Sequence, residues 1–295
     1  MQDGDKRDRR LVAVTGTVGT RRWLAKKIGR FGFALISRPV RSACGNALRV
    51  ITYHRMRSVA RDPFSVSPES FEQQIAWLAA NQLAVSLGVV EEVLAGRRAL
   101  HQDSVLVTID DGYRDAFTTA LPVLRRYGVP AVFFVTVGTI EERLGAPQPH
   151  QEQDARTSWD ELAEMADGGM AIASHAWTHR SLGRMPPDEV REEAERSRET
   201  LENRLRVPVT AFAYPFGTRA DFNAATAAIL ARCGYTCAFT SQHGRIRPGI
   251  DPFTLPRIKV EGGEPLWMFH RLVRGGLDGW RWIDRALWRL QASEA

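Results

Sequence analysis

Short apolar runs of strand length alternate along this chain with stretches of helical periodicity. Helices are predicted from Ser67-Pro68 onward and over residues 121–128, 158–168, 188–204 and 224–231. Because strands alternate with helices, the pattern predicts parallel βαβ units, with any site at the carboxyl ends of the strands of a (β/α) barrel. The predicted strands are residues 49–53, 104–109, 131–135, 169–173, 209–213 and 235–240.

Length and charge divide the chain into three parts. With 295 residues, 44% of them hydrophobic, it can form one large α/β domain with a substantial core. The net charge of +6 is uneven, because residues 1–41 hold eleven Lys/Arg against three Asp, a net +8, which leaves about −2 elsewhere. We predict a basic leader over residues 1–45, a catalytic domain over 46–262 and a basic, Trp-rich helical tail over 263–295.

The two termini allow several interpretations. The leader is either an interfacial helix attracted to anionic lipid or a segment that is poorly ordered or packed on the domain. The tail rests on a membrane, packs against the leader or binds a partner. Residues 11–19 lack a clear signal-peptide cleavage site, and no apolar run reaches transmembrane length. We expect a protein that is cytoplasmic or peripheral on the inner membrane, without a nucleic-acid partner and, with only three cysteines, without a disulfide framework.

Two adjacent acids follow the apolar run at residues 104–109. Because Asp110 and Asp111 repel each other in one pocket, either one is protonated or a cation neutralises the pair. His175 and His179, four residues apart, follow another apolar run. One carboxylate and two imidazoles are a usual ligand set for catalytic zinc, with a position left for water. The second aspartate is then free to act as a base.

These segments resemble a known family. Thr-Ile-Asp-Asp-Gly-Tyr at residues 108–113 resembles the Thr-Phe-Asp-Asp-Gly motif of the polysaccharide deacetylases, carbohydrate esterase family 4. Residues 174–179 are similar to the family's His-Ser/Thr-x-x-x-His element, and the likeness continues through residues 212–217 and 255–258. It spans roughly residues 50–260. The resemblance implies a distorted, incomplete (β/α) barrel with seven strands.

The resemblance also implies a metal site and a base. Asp111, His175 and His179 match the family's ligands for a divalent metal, with Zn expected and Co, Ni or Mn able to share such ligands. Asp110 matches the general base on the attacking water. The implied reaction removes N-acetyl groups from an amino sugar in a polysaccharide or glycan precursor.

Two further catalytic residues are expected from the family. Tyr53-His54 resembles the early Tyr-His pair of the branch that includes deacetylases of poly-N-acetylglucosamine, which assigns His54 as the acid that protonates the departing amine. In many relatives an Arg-x-Pro-Tyr motif orients the base, but Ala213 occupies the arginine position here. Arg257 is the best candidate to replace that arginine. The alternative is that Arg257 only forms a salt bridge that closes the domain.

The substrate is expected to contact residues beside these groups. A backbone N–H near Tyr214 would hold the oxyanion, with Pro215 beside it, and Trp177 is either a wall for sugar stacking or a packing residue. Two alternatives to the polysaccharide deacetylase remain at this point. One is deacetylation or deformylation of a lipid-linked sugar, and the other is an inactive carbohydrate-binding homologue.

Overall fold

A computed structural model describes residues 19–37, 46–141 and 155–284. Its centre is one parallel sheet of seven strands in the order β8-β7-β6-β5-β4-β1-β9. The strands are β1 (Leu48–Tyr53), β2 (Arg55–Met56), β3 (Ser65–Val66), β4 (Ser104–Ile109), β5 (Ala131–Val135), β6 (Ala171–Ser174), β7 (Ala211–Ala213), β8 (Cys237–Phe239) and β9 (Ile258–Lys259). The helices are α1 (Thr20–Ile36), α2 (Pro68–Ala80), α3 (Leu87–Leu94), α4 (Leu121–Tyr127), α5 (Val137–Glu141), α6 (Trp159–Asp167), α7 (Pro187–Leu205), α8 (Ala224–Arg232) and α9 (Leu266–Val273).

The sheet curls into an incomplete barrel. Side chains from six strands, among them Leu48, Leu106, Phe134 and Phe239, meet in a single interior cluster, which a flat sheet would not allow. The alternate side chains point outward and pack under the helices in a second, larger cluster. The strands β8 and β9 form the two edges of the sheet. The predicted distorted (β/α) barrel with seven strands is therefore confirmed.

Local sequence explains why the helices begin where they do. Ser67 caps α2 by accepting a hydrogen bond from the Ser70 N–H, and proline occupies the first turn. Ser158 and Glu161 form the predicted capping box of α6, with reciprocal hydrogen bonds of 3.2 and 2.8 Å. The helices that follow the strands begin within two residues of their predicted starts.

The leader contains a helix that packs on the domain. In α1, Lys27 and Arg30 turn inward and form buried ion pairs with Glu261 and Glu264, at 3.1 Å for Lys27 Nζ to Glu261 and 2.8 Å for Arg30 Nε to Glu264. Phe31 contacts Trp267 of α9 edge to face. These contacts favour the packed-helix interpretation over the interfacial one, because basic side chains expected to face lipid are used inside the protein.

Several predictions fall on residues outside the described ranges. These are the segment at 11–19, Cys44, most of the predicted surface loop at 141–156, and the part of the tail after residue 284. Within the described ranges, Cys233 and Cys237 are buried free thiols. None of the helices there combines the length and apolar character needed to cross a membrane.

Candidate active site

The predicted site residues come together at the carboxyl ends of the strands. Asp110 and Asp111 follow β4, His175 follows β6, and His54 follows β1. Because parallel strands place their carboxyl ends on one side of a sheet, residues far apart in sequence share this rim. Asp110, Asp111 and His175 are each at least 97% buried there.

Asp111, His175 and His179 form a compact three-residue group. Their candidate ligand atoms lie within 4.8 Å of one another, and the Nε2 atom of each histidine is 3.4 Å from Asp111 Oδ1. Burial alone would raise the pKa of Asp111, but the two imidazoles hold that pKa well below its usual value. The carboxylate is therefore ionised and available as a ligand.

The hydrogen bonds around this group show that it fits a cation. His175 Nδ1 lies 2.8 Å from the Ala213 carbonyl oxygen, which can only accept, so Nδ1 carries a proton, and in the neutral imidazole that binds a metal Nε2 presents a lone pair. That lone pair faces Asp111, whose two carboxylate oxygens are buried and make no hydrogen bond in the described part of the protein. Opposed lone pairs in a buried site repel. A divalent cation between them would satisfy all three side chains.

Asp110 is held by Arg257. Arg257 Nη1 donates to Asp110 Oδ1 at 2.7 Å, and the same guanidinium donates to the Thr240 carbonyl through Nε at 3.0 Å. Burial acts to raise the pKa of Asp110, but Arg257, with His175 and His54, lowers it below its usual value. The structure thus brings the expected substitute for the missing arginine at Ala213 into contact with the expected base.

The backbone at the site adopts conformations that side chains rarely accept. Asp111, Ala176, His179 and Phe216 have φ values of 76°, 63°, 62° and 60°. Left-handed backbone at non-glycine residues costs on the order of 1 kcal/mol each and persists only where the surroundings impose it. Such residues are concentrated at functional sites.

Arg156 supports the loop that carries Asp111. Its Nη1 donates to the Asp111 carbonyl at 2.8 Å, and its guanidinium lies 3.8 Å from the centre of the Tyr113 ring. Arg55 lies over the same ring, also at 3.8 Å, and is paired with Asp115. The ring and the two cations fix the turn that follows the aspartates. Sequence analysis did not identify Arg156, because nothing near residue 156 marks its partner.

Glu193 supports the loop that carries the two histidines. Its Oε2 accepts from the Trp177 and Thr178 N–H groups at 2.8 and 2.9 Å, and its Oε1 accepts from the Thr178 hydroxyl. A charged run like that of α7 is usually a solvated face, but Glu193 within it is only 6% exposed. The available signal was its position on the buried helix face formed by Val190, Ala194, Ser197 and Leu201.

His54 lies at the end of β1, in edge-to-face contact with Phe64. Its Nδ1 is buried without a hydrogen-bond partner among the described residues. Burial, with Lys259 and Arg257 nearby, lowers the pKa of His54 to about 4, although the two aspartates act in the opposite direction. The imidazole is therefore neutral at pH 7. Its neighbour Tyr53 is structural, since its hydroxyl donates to Gln74 Oε1 at 2.7 Å inside the core.

The segment after β7 differs in detail from the prediction. The Tyr214 N–H donates to the Phe239 carbonyl at 3.0 Å, so it is not free to hold an oxyanion. The Tyr214 side chain is buried and donates to the Phe253 carbonyl, and Pro215 is buried beside it. The Phe216 N–H has no acceptor in the described part of the chain, and the Phe216 ring lies 4.9 Å from that of His179. The Phe216 N–H is thus a better candidate than the Tyr214 N–H to donate a hydrogen bond to an oxyanion.

Trp177 packs in the core. Its side chain is 9% exposed, and Arg196 lies 3.7 Å from the centre of its ring. The Gly138 N–H donates to its carbonyl, and a Cβ at Gly138 would lie 2.9 Å from its indole nitrogen. This placement favours the packing interpretation of Trp177 over a sugar-stacking wall.

Sequence comparisons agree with this geometry. Residues 97–238 match the family model described as polysaccharide deacetylase. YxkH of Bacillus subtilis, which carries a polysaccharide deacetylase name, is 26% identical over 217 residues, covering 73% of this chain and 72% of that protein. The poly-beta-1,6-N-acetyl-D-glucosamine N-deacetylase of Escherichia coli K12 is 23% identical over 265 residues, covering 77% of this chain. This chain spans 38% of the length of that second relative.

Solved structures share the fold. IcaB from Ammonifex degensii is 26% identical, with a TM-score of 0.64 over 79% of this chain and 98% of that one. The Streptococcus pyogenes deacetylase PplD has a TM-score of 0.68 over 78% of this chain and 97% of that one, at 23% identity, and supports the fold alone. The matched motifs, the seven-stranded incomplete barrel and the Asp-His-His group agree with this match: residues 97–238 of the chain match the polysaccharide deacetylase family, and the relatives named N-deacetylases are hydrolases of carbon–nitrogen bonds other than peptide bonds.

Proposed function

We propose that this protein is a metal-dependent N-deacetylase acting on an N-acetylated amino sugar within a glycan. The observation that carries the proposal is the buried Asp111–His175–His179 group beside the Asp110–Arg257 pair. A divalent cation held by Asp111, His175 and His179, most simply Zn, would supply Lewis acidity toward the acyl oxygen and lower the pKa of water. The residues of the chain supply the remaining chemistry.

Asp110 is the proposed general base. Its pKa is held low, so it is ionised at neutral pH and can accept a proton from the attacking water. Arg257 fixes one carboxylate oxygen at 2.7 Å, which leaves the other oxygen to face the reacting water. A base that is buried and fixed in this way loses little entropy when it reacts.

Phe216 is the proposed oxyanion donor, in place of Tyr214. Attack on the N-acetyl carbonyl places negative charge on its oxygen, and a backbone N–H already aimed at the site stabilises that charge without reorganisation. The Phe216 N–H has no other acceptor in the described structure. The left-handed backbone at Phe216 and the contact of its ring with His179 fix its direction.

His54 is the proposed acid toward the departing amine. An amine anion is too poor a leaving group to depart without a proton. Because His54 is neutral at pH 7, the proton that Asp110 takes from water must reach His54 before His54 can deliver it to the amine. In that sequence no net proton is gained or lost at these two residues. The products are acetate and a free amino sugar.

The substrate class follows from the relatives. Those named poly-beta-1,6-N-acetyl-D-glucosamine N-deacetylase, together with IcaB, support a β-linked N-acetylglucosamine polymer as the first substrate to test. The early Tyr53-His54 pair supports placement in the same branch, with His54 as its acid.

The test is acetate release by purified protein from N-acetylglucosamine oligomers, with added zinc and with a chelator control. N-formylated oligomers of the same length serve as a matched comparison for the acyl group. We expect acetate release that stops with chelator and returns with metal. Formate release without acetate would replace the acetyl assignment, and no release of either from a folded, metal-loaded protein would overturn the proposal.

A further inference from the structure

A cavity of about 510 Å³ lies beside the carboxyl end of β8. Its volume falls within the range of small-molecule sites. It is bordered by the loop after β7, the segment between β8 and β9, and the residues after α9. The residues that line it are Arg219, Phe222, Thr240, Gln242, His243, Arg247, Thr254, Arg281 and Trp282.

The lining is strongly basic and contains no acid. Arg219, Arg247 and Arg281 line it, and none of the three forms a salt bridge with a carboxylate in the described part of the protein. Most other arginines near the barrel rim are paired, as Arg257 is with Asp110. Three unneutralised guanidinium groups around one concave surface create a positive potential that favours an anion.

Two acids near the cavity, Asp284 and Asp221, accept hydrogen bonds from neighbouring groups. Asp284 accepts from the His243 N–H at 2.9 Å and lies 2.8 Å from His243 Nδ1. Asp221 accepts from the Ser181 and Thr218 hydroxyls. These carboxylates therefore have local donors as partners.

The cavity adjoins the proposed catalytic base. Thr240, which lines it, accepts a hydrogen bond through its carbonyl from Arg257, and Arg257 in turn donates to Asp110. On another side, Phe222 stacks on Tyr214, two residues before the proposed oxyanion donor, with ring centres 5.0 Å apart. One buried residue, Arg257, thus separates the cavity lining from the proposed base, which places the cavity next to the candidate active site.

An aromatic surface accompanies the charge. Trp282 is 59% exposed, and Arg281 lies 5.2 Å from the centre of one of its rings. A flat indole can pack against the carbon–hydrogen face of a sugar ring while guanidinium groups bind substituents at the ring edge. The lining therefore suits a sugar that carries a negative charge.

We propose that this cavity binds an anionic substituent, a carboxylate or a phosphate, on the glycan substrate, so that the enzyme acts on an acidic N-acetylated glycan. The inference rests on the proposed deacetylase function. Guanidinium groups bind both anions through paired, charge-assisted hydrogen bonds. A free amino sugar, the product of the reaction, is cationic at neutral pH and is repelled here. The cavity thus favours unreacted, acid-bearing units.

The test is a direct binding measurement that does not depend on turnover. Metal-loaded protein carrying Asp110→Asn is titrated calorimetrically with three ligands. These are an oligosaccharide of alternating glucuronate and N-acetylglucosamine, a neutral N-acetylglucosamine oligomer of the same length, and N-acetylglucosamine 1-phosphate. Arg219→Gln, Arg247→Gln and Arg281→Gln are compared with Arg97→Gln, an exposed arginine at the opposite end of the barrel.

We expect each of the three cavity substitutions to weaken binding of an acidic ligand roughly tenfold and to leave the neutral oligomer unchanged. Arg97→Gln should change the affinity for neither the acidic ligands nor the neutral oligomer. The ligand that loses affinity, glucuronate or phosphate, identifies the anion. Equal affinity for the acidic and neutral ligands, or an equal loss in Arg97→Gln, would overturn the inference.

Acetate release by the unsubstituted enzyme separates this inference from the function on which it rests. If the neutral oligomer is deacetylated and the cavity substitutions change nothing, the function stands and the cavity assignment is wrong. If acidic ligands bind through the three arginines but neither glycan releases acetate, the anion site stands and the deacetylase proposal fails.

Discussion

Arg257 reaches across the barrel from the segment before β9 and donates a 2.7 Å hydrogen bond to Asp110, which follows β4. The two residues are 147 positions apart in sequence, and both are at most 3% exposed. We propose that this guanidinium takes the role expected of the family's arginine at the position of Ala213. The proposed partner of the base would then come from the segment before β9 instead of from the end of β7.

Replacing Arg257 should separate its role in orienting the base from a role in folding. Arg257→Gln removes the charge beside Asp110, and we expect kcat to fall about 100-fold or more with little change in KM, since the interaction acts on the base and not on the sugar. Arg257→Lys should recover part of the rate, because lysine restores the positive charge but lacks the planar guanidinium with its fixed N–H donors. Steady-state kinetics with a thermal melt for each variant provides the measurement. A rise in KM alone, or unchanged kinetics in a folded variant, would contradict this role.

Metal binding should stabilise the fold through Asp111, whose carboxylate oxygens are buried and accept no hydrogen bond from the described residues. Zinc at a thousand times its Kd adds about 4 kcal/mol to the free energy of unfolding, which corresponds to a rise in Tm on the order of 10 °C for a domain of this size. Asp111→Asn should abolish most of that rise. Differential scanning fluorimetry with and without zinc measures the rise in Tm for both proteins. An equal rise in Tm for Asp111→Asn would show that the metal binds elsewhere.

Glu193 should control metal affinity without touching the metal. It accepts from the Trp177 and Thr178 N–H groups between the two histidines, so Glu193→Ala frees that loop. We expect metal affinity to fall 10-fold to 100-fold, as for other residues that orient ligands. Glu192→Gln, an exposed neighbour on the same helix, is the matched control and should have no effect. Competition with a fluorescent chelator measures the affinity, and equal values for the two variants would refute the role of Glu193.

The docking of α1 should depend on pH through Glu261. Burial would raise its pKa, but Arg30, Lys26 and Lys27 hold that pKa well below the usual value. A lowered carboxyl pKa contributes stability above the unfolded-state pKa of about 4.5, and this contribution is lost as the pH falls toward the folded-state value.

Glu261→Gln should therefore lower Tm strongly at pH 7. The gap between the variant and the unsubstituted protein should narrow steadily as the pH falls from about 5 to 3. Thermal melts across that range measure the gap. A gap that stays constant with pH would show that the effect of Glu261 does not arise from its charge.

Sequence pattern predicted the strand and helix order, because burial of strands on both faces leaves continuous apolar runs such as residues 131–135. It also indicated a metal group of one carboxylate and two histidines at the ends of such runs, and the resemblance to the family implied Asp111, with His175 and His179, as the ligands. The oxyanion donor could be predicted only as a backbone N–H near Tyr214, because a backbone N–H carries no sequence signal and only the sheet register shows that the N–H of Tyr214 itself is occupied.

Other residues depend on tertiary contacts. Glu193 resembled a surface charge because its helix is highly charged, and only the burial of its helix face distinguishes it. Lys27 and Arg30 resembled a lipid-binding set, and their partners Glu261 and Glu264 lie more than 230 residues away. The cavity arginines are dispersed between residues 219 and 281, so no local pattern could group them.

The central claim is that Asp110 acts as a base beside a metal held by Asp111, His175 and His179. The most direct measurement is acetate release by the Asp110→Asn variant, with its metal content determined on the same sample. We predict that the variant retains one metal ion per chain and a normal melt but loses chelator-sensitive acetate release by at least about 100-fold. Undiminished release from the metal-loaded variant would contradict the assignment of the base.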